Sequence, residues 1–210
     1  MRLAAIGDNC VDFYEKQGWA YPGGNAVNVA VYGRQLGMDA AYLGWIGTDN
    51  FGDMMQEKLK EQDVETVRMQ RKQGKTAITY IELLDGDRKF GEDFLNVLEG
   101  FQLSDGDLQY LAGFDCVHMA VWGQCDSCLG KLPQEVKISY DFSNRYGEKK
   151  IERLAPYIDY VVHAGDNMDF KKESVHAMVE KIVADAQTAY SMVPNKYVKT
   201  SENFGRVDKG

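Results

Sequence analysis

Two short apolar runs, each closed by glycine and separated by a helix-patterned segment, restrict this chain to few folds. Leu3-Ala4-Ala5-Ile6-Gly7 and Ala40-Ala41-Tyr42-Leu43-Gly44-Trp45-Ile46-Gly47 are near-continuously apolar, as strands covered on both faces must be. Between them Ala26, Val27, Ala30, Val31 and Leu36 form a helical stripe, with Asn25 as its expected cap and Gly37 as its stop. Asp49 or Asn50 caps a second helix carrying Phe51, Met54, Met55 and Leu59. Strand, helix, strand, helix builds an α/β protein: a parallel sheet with helices on its faces.

One insertion breaks the rhythm. Residues 76–84 alternate like a half-exposed strand, and Asp85-Gly86-Asp87 turns the chain back toward Arg88-Lys89-Phe90. This antiparallel flap sits beside the main domain. The α/β pattern resumes at Ser104-Asp105-Gly106-Asp107, whose spacing predicts a capping box. Strands are expected over 114–122, 136–142 and 157–162, with a helix around 151–154 ended by Pro156. A patterned helix follows, with Val175, Met178, Val179, Ile182, Val183 and Ala186 on one face. The expected division is one α/β domain over 1–186 and an irregular tail over 187–210.

Charge narrows the partners. With 24 basic and 32 acidic residues the formal net charge is −8, which argues against nucleic acid or an anionic membrane as the main partner. No apolar run is long enough to cross a bilayer, and Asp8 arrives too early for a signal peptide, so the expected address is the cytoplasm. Cys10, Cys116, Cys125 and Cys128 then read as reduced thiols. Cys125-Asp126-Ser127-Cys128 has zinc or redox spacing, but no second such pair and no histidine completes it. No metal site is expected.

The stretch Pro22-Gly23-Gly24-Asn25-Ala26-Val27-Asn28 bears most directly on chemistry. Paired glycines before a helix let backbone approach a ligand, and first-turn N–H groups face it. Asn28 lies one turn beyond Asn25, so both amides can reach one region. An amide donates and accepts, which suits a sugar hydroxyl. A tight turn with an ordinary cap fits the spacing equally well. Neither G-x-G-x-x-G nor G-x-x-x-x-G-K-[ST] is present, which disfavours a nicotinamide oxidoreductase or a P-loop. Asp12 follows the first strand, where α/β proteins gather ligands.

The run Gly23-Gly24-Asn25-Ala26-Val27-Asn28-Val29-Ala30, then Leu36-Gly37, then Gly44-Trp45-Ile46-Gly47-Thr48-Asp49-Asn50-Phe51-Gly52, resembles the N-terminal signature of the ribokinase-like (PfkB) carbohydrate kinases. Arg88-Lys89-Phe90-Gly91, Val117-His118, Trp122-Gly123 and Tyr140-Asp141-Phe142-Ser143 continue the likeness in order, over about residues 2–160. The opening Ile6-Gly7-Asp8-Asn9-Cys10-Val11-Asp12 is most similar to the branch acting on fructoselysine. The resemblance implies a Rossmann-like three-layer core with a small β-lid, made from segments at about 13–22 and 74–92. It implies transfer of phosphate from ATP, with Mg2+, to a hydroxymethyl group of a sugar or sugar–amino-acid conjugate. Residues matching Asp12, Gly23, Gly24 and Asn28 hold the sugar in such kinases. Asp8, Asn25, Phe90 and Asp141 are further candidate contacts. A homodimer through the lid strands is also expected, since open strand edges invite pairing.

The sequence also departs from the family. Its second signature, D-T-x-G-A-G-D, supplies the catalytic base and an anion-binding helix start, and nothing here matches it. The family's N-x-x-E stretch reads His163-Ala164-Gly165-Asp166-Asn167-Met168-Asp169, where Asp166 or Asp169 are the nearest substitutes. The expectation is a C-terminally incomplete kinase with little turnover of its own, and no catalytic residue is assigned. The alternative is a catalytically dead sugar-binding or regulatory protein. His118, inside an apolar strand, reads as a satisfied buried histidine rather than a catalyst. Trp19, Tyr21, Trp45 and Trp122 read as packing more than as sugar-stacking groups.

Overall fold

The computed structural model describes residues 1–84, 87–143 and 148–162. In chain order they form β1 (Arg2–Ile6), β2 (Cys10–Tyr14), β3 (Trp19–Gly23), α1 (Asn25–Gln35), β4 (Asp39–Leu43), β5 (Trp45–Gly47), α2 (Asn50–Glu61), β6 (Gln70–Lys72), β7 (Ile78–Leu84), β8 (Asp87–Phe94), α3 (Asp105–Leu111), β9 (Cys116–Ala120), β10 (Lys137–Asp141), α4 (Glu148–Leu154) and β11 (Tyr160–Val162). The main sheet runs β11-β10-β9-β1-β4, with every pair parallel. The expected α/β class holds.

Successive side chains along each strand point to opposite faces, so the sheet divides the core in two. Ala5 and Tyr42 pack with Ala26, Val27 and Ala30 of α1 and with Met55 and Leu59 of α2. On the other face Ile6, Leu43, Val117, Met119, Ile138 and Tyr140 pack with Leu111 of α3 and Leu154 of α4. The result is three layers. The strand register places Tyr42, Ala5, His118, Ser139 and Tyr160 in one row across the sheet. His118 thereby belongs to the α1 side.

Several local expectations change. The apolar run at 40–47 is two strands, broken at Gly44, where a Cβ would lie 2.0 Å from the Tyr42 hydroxyl. Its second half, β5, leaves the main sheet to pair with β6, whose polar Gln70-Arg71-Lys72 sequence carries no strand signal. Asn25 is not the cap of α1. Gly24 is, at φ 98°, with no side-chain cap bond. Gly37 does stop the helix: at φ 84° it donates to Arg34 O (2.9 Å), while Met38 N donates to Gly33 O (2.9 Å). Asp49 caps α2 by accepting from Gly52 N, and the Ser104–Asp107 capping box is present. Pro156 lies in a 3-10 turn (Ala155–Tyr157), so β11 starts three residues later than expected.

A second sheet has the order β3-β2-β7-β8. The unpatterned stretch after Asp8 supplies its β2–β3 hairpin, and the expected flap is the β7–β8 hairpin. These outer pairs are antiparallel. The central β2–β7 pair is parallel, because the chain passes through α1, β4, β5, α2 and β6 before it returns. The turn residues Asp85 and Gly86, the candidates Asp166 and Asp169, the helix expected near 171–186 and the tail over 187–210 lie outside the described residues. Among the described residues no helix is long and apolar enough to cross a membrane.

Candidate functional site

The carboxyl ends of β1 and β10, the start of α1 and the second sheet meet at one place. Gly7, at φ 88°, ends β1, and a Cβ there would lie 2.6 Å from Gly123 O. That contact packs the turn carrying Asp8 against the segment after β9. Asp8 is buried and accepts the backbone N–H of Asn25 at 2.6 Å. Burial pushes its carboxyl up to about 6. The Asn25 N–H opposes that shift, and the charges of Asp141 and Asp12 reinforce it.

The paired glycines act through shape. A Cβ on Gly23 would sit 2.7 Å from Asp12 Oδ1, so only glycine lets that carboxylate lie against the loop. A Cβ on Gly24 would sit 2.5 Å from Asn9 Cα and 2.8 Å from Asp8 O. Gly24 thus brings α1 onto the Asp8–Asn9 backbone in a conformation that L residues avoid. Burial raises the Asp12 carboxyl, while the Cys10 thiol, donating at 3.4 Å, and the Arg88 guanidinium at 4.0 Å lower it. Three acids, Asp8, Asp12 and Asp141, therefore face one small region. Among the described residues no group of three or more acidic, histidine or cysteine side chains could hold a metal ion.

Asn25 ties the far side together. Its Nδ2 donates to Asp141 Oδ2 at 2.6 Å, and its Oδ1 lies 2.5 Å from His118 Nε2. Asp141 Oδ1 accepts from Ser143 N at 2.6 Å, with Ser143 held at φ 52°. His118 Nδ1 lies 3.0 Å from Ser139 Oγ, and burial brings the imidazole down to about 4.

The structure therefore brings together Asp8, Asp12, Gly23, Gly24, Asn25 and Asp141. Asn28 lies exposed on the first turn of α1, and Phe90 is exposed on β8. Phe90 connects to the cluster through Arg88, whose guanidinium stands 5.8 Å from its ring. Sequence reasoning missed Asn9, Arg88 and the Ser139–His118 pair as parts of this region. Asn9 is buried and donates to the Tyr42 hydroxyl (2.7 Å) and to Trp45 O (2.9 Å), while that hydroxyl donates to Gly7 O (2.8 Å). Those two closest partners, Tyr42 and Trp45, are thirty or more positions away, so no local pattern marks it. Cys125 and Cys128 lie in the core below, where the Cys128 thiol donates to Cys125 O at 2.8 Å.

Comparison with known proteins assigns the class. Residues 2–170 match the model of the pfkB family carbohydrate kinases, and the chain belongs to that family. It is 36% identical over 183 residues to fructoselysine 6-kinase of Escherichia coli (strain K12), a match covering 87% of this chain and 69% of that protein. It is 30% identical over 172 residues to fructosamine kinase FrlD of Bacillus subtilis (strain 168), covering 80% of this chain and 61% of that one. The fold matches fructokinase of Xylella fastidiosa with bound ATP at a TM-score of 0.66 and 19% identity, covering 87% of this chain and 65% of that one. Ribokinase of Giardia lamblia gives 0.66 at 15% identity, covering 87% and 65%. The chain thus spans only part of the length of these relatives.

Proposed function

We propose that this chain carries the sugar site of an ATP-dependent kinase of the ribokinase type, acting on fructoselysine or a related fructosamine at a hydroxymethyl group. The observation that carries the reading is the meeting of Asp12, Gly23 and Gly24 with Asp8 and Asp141 at the carboxyl edge of the parallel sheet. The likeness to a fructoselysine 6-kinase and to a fructosamine kinase supports the substrate class.

The chemistry follows from the groups present. The Asp12 carboxylate accepts hydrogen bonds from the sugar hydroxyls, Gly23 lets that carboxylate lie against the loop, Gly24 sets α1 against the Asp8–Asn9 backbone, and Asn28 offers an amide at the helix start. The second sheet, as a lid, excludes water so that phosphate goes to sugar rather than to solvent. ATP with Mg2+ is the proposed donor, and no described residue is assigned to it or to the catalytic base. The outer strand β8, exposed along its length, is the proposed edge for pairing with a second copy.

Isothermal titration with fructoselysine, followed by a coupled ADP-release assay, tests this reading. Sugar heat that disappears in Asp12→Asn, together with ADP release, supports it in full. Sugar heat with little or no ADP release still supports the sugar site and leaves this chain acting by itself as a sugar-binding or regulatory protein. A folded protein with neither response overturns the sugar site.

A further inference from the structure

We infer that His118 is a positioning residue of the sugar site, which fixes the Asn25 amide so that Asn25 serves as a splint for Asp141. The inference rests on the sugar-binding reading above. It starts from an accounting of Asn25: its backbone N–H goes to Asp8, its Nδ2 to Asp141, and its Oδ1 to His118. With one bond at each end the amide is fixed in orientation, with one N–H and one lone pair remaining.

The direction of the chain follows from donor and acceptor chemistry. Asp141 Oδ2 can only accept from an amide, so Asn25 must present Nδ2 to it. Asn25 Oδ1 can only accept, so His118 Nε2 must carry a proton. A neutral imidazole then has a bare Nδ1, which accepts the Ser139 hydroxyl proton. Ser139 to His118 to Asn25 to Asp141 is a one-way series of donors. Asp141 alone selects the amide orientation, and the Nε2 donor adds a second fixed point. Without it Asn25 Oδ1 loses its partner, the amide is held at one end only, and the 2.6 Å anchor on Asp141 is free to shift.

The fold supplies the placement. His118 and Ser139 are register partners on β9 and β10 and face α1, whose first residue is Asn25. An imidazole buried among apolar groups at this register has no solvent partner to compete for its proton.

Histidine-selective 15N NMR of the free protein, joined to fructoselysine titration of three variants, tests the inference. His118 is expected to show the Nε2–H tautomer, and Ser139→Ala should move the Nδ1 resonance. A glutamine amide nitrogen reaches about where Nε2 stands, whereas asparagine reaches only about Nδ1. His118→Gln should therefore keep sugar affinity within about threefold, while His118→Asn and His118→Phe lose about tenfold or more. A purely space-filling histidine would not rank the variants by donor position. The Nδ1–H tautomer in the wild type overturns the inference, as does wild-type affinity in a folded His118→Phe. If His118→Phe does not fold, the tautomer and the glutamine–asparagine contrast decide. If the wild type gives no sugar heat, the sugar reading fails, and the tautomer still decides the direction of the relay.

Discussion

Asn25 donates its side-chain amide to Asp141 over 2.6 Å, joining the first residue of α1 to the last residue of β10 across 116 positions of sequence. Truncation at this point leaves a carboxylate and an imidazole without their partner in a partly buried place. Asn25→Ala should cost about 1–3 kcal/mol in urea denaturation. Asn25→Asp should cost more at pH 8 than at pH 5, because it sets a second carboxylate against Asp141. A penalty independent of pH would show that Asp141 faces elsewhere.

Two buried groups in this region have opposite proton linkages. Asp8 is raised from its ordinary 3.8 to about 6, so between those values the folded chain holds a proton that the unfolded chain has lost. That contribution to stability falls as pH rises through the window. His118 is lowered from 6.5 to about 4, so between those values the unfolded chain holds the extra proton, and stability rises with pH. Each is worth about 3 kcal/mol over its span, and the two nearly cancel. Stability measured from pH 4 to 6 should therefore change little through this pair in the wild type. Asp8→Asn should expose a rise with pH, and His118→Phe a fall. Parallel slopes in the two variants would show that one group lacks its shifted titration.

The adjacent glycines should fail in different ways. At Gly24 a Cβ meets fixed backbone at 2.5 Å, at φ 98°, so Gly24→Ala should destabilise by about 2–4 kcal/mol by thermal or chemical unfolding. At Gly23 the obstacle is the end of the Asp12 side chain, which can swing aside. Gly23→Ala should keep stability within about 1 kcal/mol yet weaken fructoselysine binding by tenfold or more. Equal losses of stability at the two positions would contradict the assignment of Gly23 to Asp12.

The parallel core was legible because strands buried on both faces need apolar runs, and Leu3 to Gly7 and Ala40 to Leu43 supply them. The β2–β3 hairpin was not: Cys10 and Asp12 are half-buried beside the proposed sugar region and Trp19 and Tyr21 face solvent, so the alternation that marks a half-buried strand is blurred. Gly23 and Gly24 could be singled out because glycine before a helix has a local meaning, and Asp12 because it follows the first strand. His118 could not, since its role comes from Ser139 on the neighbouring strand and from Asn25, 93 positions earlier. Asn25 was expected as a cap from local spacing. A glycine at φ 98° took that place because the close approach to Asn9 leaves no room for a side chain.

Arg88 offers the clearest separation of stability from binding. Its guanidinium stands 4.0 Å from Asp12 Oδ2 while its side chain is 58% exposed, so solvent screens the pair and its worth to the fold is below about 1 kcal/mol. The same pair joins β8 to the acid proposed to hold the sugar, and the charge of Arg88 favours the ionised form of Asp12. Arg88→Gln should leave the unfolding midpoint within about 1 °C, weaken fructoselysine binding about three- to tenfold, and reduce the loss of affinity on added salt. Titration calorimetry at low and high ionic strength reads all but the first. Unchanged affinity at both would leave Gly23 and the Cys10 thiol as the groups that aim Asp12, and β8 as a cover without a polar contact to the site.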